Sequence, residues 1–129
     1  MLLVYMSLTG NVRDFVSRTG MKSYEITPIN PYFEVNEDYI IVIPSYVGYI
    51  NDEVEDFLNY KNNLEHLIGF ASSGNMNFND LYCVNAKELS SKYNKPIIFK
   101  FEYMGTDKDI IDFKREVEKI EITRTTEED

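Results

Sequence analysis

The chain has 129 residues, 43% of them hydrophobic and 14% aromatic, and carries 22 acidic against 13 basic side chains for a formal net charge of -9. That length suits one domain with one core. The acidic balance argues against nucleic acid as a partner, and no apolar stretch approaches the roughly 20 residues that span a bilayer, which argues against a membrane protein.

The N-terminus, MLLVYMSLTG, has no basic leader and no cleavage site, so a cytoplasmic location is expected. Cys83 is the single cysteine, which leaves no intramolecular disulfide and fits a reducing compartment. Part of the acidity lies in Glu127-Glu128-Asp129, expected as a frayed tail. The domain is therefore placed at 1–122 and an acidic C-terminal tail at 123–129.

In chain order, Leu2 to Met6 is a continuous apolar run, as are Tyr39 to Ile43 and Ile97 to Phe99, which predicts strands covered on both faces. After the first, Val12, Phe15 and Val16 follow helical spacing until Gly20 supplies a stop. A second strand is expected over Lys22 to Ile26. Pro28 and Pro31 then oppose a long helix across Thr27 to Asp38, so this crossover is expected to be irregular. Asn51-Asp52-Glu53 resembles a helix start with Val54, Phe57 and Leu58 inward. Leu64 to Ala71 reads as a strand ending in SSGN, and Ala86 to Tyr93 as a helix closed before Pro96. Thr106-Asp107 opens a last helix whose Ile110, Phe113, Val117 and Ile120 share one face.

The resulting order, β-α-β-β-α-β-α-β-α, predicts an α/β three-layer sandwich: a five-stranded parallel sheet of flavodoxin-like order 2-1-3-4-5 with helices on both faces. In such a sheet ligands bind at the carboxyl edge, near the first and third strands.

The stretch SLTGNV stands at that edge, between the first strand and the first helix. Backbone N–H groups around Leu8 to Val12 lack helical partners there, Ser7, Thr9 and Asn11 add polar groups, and Gly10 permits close approach. This chemistry suits a terminal phosphate, although a helix cap with a turn uses the same residue types. GxxxxGK[ST] and GxGxxG are both missing, which argues against nucleoside triphosphates and NAD. The loop has no cysteine for a cysteinyl-phosphate, and the first strand ends without the acids of a phospho-acceptor receiver.

Two further loops are expected at the same edge, PSYVGY from Pro44 and SSGNMNFNDLYC from Ser72. Both combine glycine with aromatics. Tyr46 or Tyr49 and Phe78 or Tyr82 can wall a flat heteroaromatic ring while tight turns reach its polar edge, so flavin mononucleotide (FMN) is the expected ligand.

Three blocks, SLTGNV with Arg13 and Phe15, ASSGNMNFNDLYC, and KFEYMGTDKDIIDF, resemble in order and spacing the NrdI family, the flavodoxin-like flavoproteins of class Ib ribonucleotide reductase. PSYVGYIN is less like the family pattern. The resemblance implies an FMN-dependent redox protein whose reduced flavin reacts with oxygen. The oxidant, taken to be superoxide, passes to the dimanganese small subunit of the reductase for assembly of its tyrosyl radical. It implies an accessory flavoprotein served by an unidentified electron donor, with no catalytic or metal-ligating residue of its own. On this reading Ser7, Leu8, Thr9, Gly10, Asn11 and Val12 hold the phosphate, Ser45, Tyr46 and Gly48 approach one side of the ring, and Gly74, Asn75, Phe78, Tyr82 and Cys83 line the other. Gly48 and Gly74 can turn a peptide group toward the flavin N5 as redox state changes; turn geometry alone accounts for them equally well. The alternatives are a general flavodoxin-type one-electron carrier and a module that keeps the fold without its cofactor.

Lone His66 has no second histidine and no clear acidic partner at ligand spacing, so no metal is expected there. Cys83 can equally be a small buried hydrophobe. The acids Asp52, Glu53, Glu55 and Asp56 suit a helix start as well as a docking face.

Overall fold

Apolar runs with no polar face need cover on both sides. In the computed structural model, which describes residues 1–45, 50–77 and 83–128, the runs from Leu2 and from Tyr39 form the middle of a parallel sheet, whereas Ile97 to Phe99, expected to be covered on both faces, lies in an edge strand and is only half-buried. The strands are β1 (Leu2–Tyr5), β2 (Ser23–Glu25), β3 (Tyr39–Ile43), β4 (Leu67–Gly74) and β5 (Ile97–Glu102). Their spatial order is β2-β1-β3-β4-β5, every neighbouring pair is parallel, and the doubly wound order expected from the sequence is observed. Central β3 is buried at every position, whereas edge strand β2 exposes Ser23 and Tyr24.

Helices α1 (Asn11–Thr19), α2 (Ile50–Leu58), α3 (Val84–Tyr93) and α4 (Asp107–Glu128) cover the two faces. Alternation along the strands divides the core accordingly. Leu2, Val4, Tyr39, Ile41 and Ile43 pack with Val54, Phe57 and Leu58 of α2 and Ala86 and Leu89 of α3. Leu3, Ile40 and Val42 pack on the other face with Val12, Phe15 and Val16 of α1 and Ile110, Phe113 and Val117 of α4. Full burial of such side chains is worth about 1.5–3 kcal/mol each. Phe15 stacks on Phe101 at 3.8 Å and meets Phe113 edge-on at 5.3 Å, which fixes α1 against α4 and β5.

The irregular crossover before β3 is held by one buried carboxamide. Asn63 accepts the Val35 N–H at 2.9 Å through Oδ1 and donates through Nδ2 to the carbonyls of Phe33 and Phe57, both at 2.8 Å. Tyr39 adds a hydroxyl bond to the Asn63 carbonyl at 2.8 Å. Burial pushes that Tyr39 phenol well above its ordinary range.

Several details differ from the sequence reading. β4 begins at Leu67 and not Leu64, because Asn63–His66 form a 3-10 turn from which Leu64 still packs against the core. His66 lies in that turn and does have an acidic neighbour, its Nδ1 standing 3.7 Å from Asp38, which Arg124 also engages at 2.6 Å. α3 starts at Val84, two residues before the expected Ala86. Position 122 falls inside α4, which continues to Glu128. No helix among the described residues is long and apolar enough to cross a membrane.

Candidate functional site

At the carboxyl end of β1 the Met6 N–H donates to the Val42 carbonyl at 3.1 Å, and the chain then turns away from the sheet into α1. Ser7 Oγ accepts the N–H of Gly10 at 3.1 Å and of Arg13 at 3.3 Å, while the Asp14 N–H donates to the Gly10 carbonyl at 2.9 Å. Gly10 is the N-cap residue and has φ 95, a left-handed conformation that favours glycine. It brings no side chain to cap the helix. Ser7 therefore meets one first-turn donor, whereas the N–H groups of Asn11 and Val12 have no carbonyl within the helix to reach.

Asn11 and Val12 line a cleft of about 200 Å³ together with Leu8 and Thr9 from the same turn. Its other described walls are Pro44 and Ser45 after β3, Ser73, Gly74 and Asn75 at the end of β4, and Tyr103 after β5. None of these ten residues carries a charge. The helix end thus offers donors to an anion without a carboxylate opposite, and Leu8, Pro44 and Tyr103 add apolar surface.

The far wall is tied together by its own hydrogen bonds. Ser45 donates to the Ser73 carbonyl at 2.6 Å, and Ser73 donates to the Tyr103 carbonyl at 2.5 Å. The Tyr103 N–H donates to the Gly74 carbonyl at 3.2 Å, and Asn75 Nδ2 donates to the Tyr103 hydroxyl at 2.7 Å. These bonds join the ends of β3, β4 and β5 into one rim.

Arg13 stands in the first turn of α1 but is engaged elsewhere. Its guanidinium forms a two-pronged pair with Glu25 at 3.0 and 2.9 Å, and the Tyr5 hydroxyl donates to the same carboxylate at 3.0 Å. Hydrogen bonding from Arg13 holds the Glu25 carboxyl below its ordinary range. Partial burial, followed by the Glu25 contact, pushes the Tyr5 phenol up.

Of the residues singled out from the sequence, Leu8, Thr9, Asn11, Val12, Ser45, Gly74 and Asn75 converge on the cleft. Ser7 and Gly10 shape the turn beneath it. Cys83 is buried away from the described lining, its Sγ 3.8 Å from the Ser72 carbonyl, and serves as the N-cap residue of α3 with φ 57. Tyr46, Tyr49, Gly48, Phe78 and Tyr82 lie outside the described residues. Pro44, Ser73 and Tyr103 were missed. Pro44 and Ser73 adjoin chosen residues, and Tyr103 lies within KFEYMGTDKDIIDF at a strand's carboxyl end, a position that was itself a signal.

Comparison with known proteins gives two findings. Residues 3–115 match the family model described as "NrdI Flavodoxin like". Over 124 residues the chain is 34% identical to Protein NrdI of Bartonella tribocorum, an alignment covering 92% of this chain and 94% of that relative.

Proposed function

This chain belongs to the NrdI flavodoxin-like family, and from that premise we propose that it is an FMN-dependent accessory flavoprotein of class Ib ribonucleotide reductase, working in the cytoplasm. The observation that carries the cofactor is the α1 terminus: Gly10 brings no side chain to the Asn11 and Val12 N–H groups, and the turn opens into an uncharged cleft. The residues present fit a phosphate at one end and a flat ring beside it. Thr9 and Asn11 side chains, with the N–H groups of Asn11 and Val12, would hold the phosphate. Leu8 and Pro44 would meet the ring, and Ser45, Gly74 and Asn75 would present polar groups to its edge.

FMN, when bound, supplies one-electron chemistry with dioxygen, and the resulting superoxide would serve the dimanganese site of the reductase's small subunit. The protein's own part is to bind and orient. The Ser45–Ser73–Tyr103 bonds fix the rim, and pairing of Arg13 with Glu25 keeps that cation's charge locally balanced.

The test is to load the purified protein with FMN, remove free flavin, titrate with reductant without air, and then admit oxygen. Retained flavin that reoxidises promptly supports the redox reading; a folded protein that retains none overturns it. Adding the manganese-loaded small subunit should raise tyrosyl-radical yield over a control lacking this protein. Retained FMN with no such rise would overturn the partner assignment and favour a general one-electron carrier.

A further inference from the structure

Tyr103 occupies a backbone conformation that a residue with a Cβ avoids. Its φ is 52, in the left-handed region where glycine or asparagine is the ordinary choice. The residue is 53% exposed, so core packing does not call for an aromatic there. Its backbone and hydroxyl are nevertheless held by Ser73, Gly74 and Asn75 through the bonds described above.

The following residues fix the segment from its other side. Gly105 has φ 74, and a Cβ there would stand 2.8 Å from the Phe15 ring. Arg18 donates from α1 to the carbonyls of Met104 and Gly105. A sparsely populated conformation kept by that many contacts points to a position whose side chain matters. Tyr103 lines both the α1 cleft and a more open depression that includes Met76 and Met104.

We propose that Tyr103 is a cofactor-positioning residue. Its ring walls the β5 side of the flavin cleft, and its hydroxyl fixes Asn75, so that this wall and the β4 end are set together. The inference rests on the FMN reading and adds a residue beyond the loops that follow β1, β3 and β4.

Three measurements test it: FMN and riboflavin affinity by quenching of flavin fluorescence, thermal unfolding of the flavin-free protein, and visible circular dichroism of the bound flavin. Tyr103→Gly relieves the left-handed backbone while deleting the wall. It should melt no lower than the parent yet bind both flavins about tenfold more weakly. Tyr103→Phe keeps the wall and releases Asn75, so affinity should return to within about threefold of the parent. Its visible circular dichroism should still differ from the parent's, because the β4 end is no longer fixed.

Parent-like flavin affinity in Tyr103→Gly would overturn the proposal. A lowered melting temperature in Tyr103→Gly together with weak binding in Tyr103→Phe would assign the residue to stability instead and also overturn it. Failure of the parent protein to bind FMN refutes the underlying cofactor reading, a result distinct from tight parental binding with indifferent variants.

Discussion

All four helices follow the carboxyl end of a strand, and two of them, α1 and α4, surround their first turns with different charge. α4 is closed by a reciprocal capping box in which the Asp109 N–H donates to Thr106 Oγ1 at 3.1 Å and the Thr106 N–H donates to Asp109 Oδ2 at 2.8 Å. Asp107 places another carboxylate in the same turn. α1 has Gly10 at the N-cap, and its first-turn acid, Asp14, is occupied by Arg18 at 2.8 Å. The backbone dipole has the same sense at both ends. One N–H of each turn is met by a side-chain oxygen, that of Arg13 by Ser7 and that of Asp109 by Thr106, so what differs is charge: the carboxylates of Asp107 and Asp109 stand at α4, whereas the α1 turn opens into an uncharged cleft and, of the two, suits an external anion.

That contrast can be attacked directly, beginning with the largest expected effect. Asn11→Asp preserves shape and adds a carboxylate to the first turn of α1. FMN affinity should fall about a hundredfold, roughly 2.7 kcal/mol, while the flavin-free protein gains about 0.3–1 kcal/mol. Riboflavin, which lacks the phosphate, should bind nearly as before; equal weakening of both ligands in fluorescence titrations would place the phosphate elsewhere.

Gly105→Ala comes next. Its positive φ and the 2.8 Å approach to Phe15 should cost about 2 kcal/mol in urea unfolding, because α1 and the approach to α4 are packed together there. Thr106→Ala removes one arm of the capping box and should cost about 1 kcal/mol by the same measurement. FMN affinity should stay within about twofold, as expected of a terminus that holds no ligand. A larger loss of binding would break the distinction between the two helix ends.

The smallest effect concerns Arg13 and Glu25. Glu25 titrates below its ordinary 4.5 when folded, chiefly through hydrogen bonds from Arg13, so the pair stabilises above that value and its contribution is lost as pH falls through the lowered one. Arg13→Ala should be slightly less stable than the parent in denaturant titrations at neutral pH. The difference, small because partial exposure screens the pair, should shrink as pH falls below 4.5 and vanish once acid has removed the Glu25 charge.

Much of this architecture was legible in local patterns. Continuous apolar runs announced β1, β3 and β5, and the spacing of Val12, Phe15 and Val16 announced α1. The start of β4 was misplaced because Leu64 contributes to the core from a 3-10 turn, where one-dimensional patterning cannot distinguish it from a strand residue. The His66–Asp38 approach joins segments distant in sequence and left no local trace. Within the site, SLTGNV carried its own signal, since glycine and small polar residues between a strand and a helix imply free backbone donors. Tyr103 carried a weaker one: a non-glycine residue in the left-handed region has the same letter as one in a strand.

The buried amide of Asn63 has a consequence for how this chain can change length. Phe33 and Val35 are bonded to it, whereas Ile29 is 96% exposed on the same crossover. Added residues near Ile29 can bulge into solvent and leave those bonds in register. An insertion between Phe33 and Val35 would pull one of them off the carboxamide and strand a buried polar group. One half of a connection without regular secondary structure is therefore open to insertion, and the other is as fixed in length as a strand.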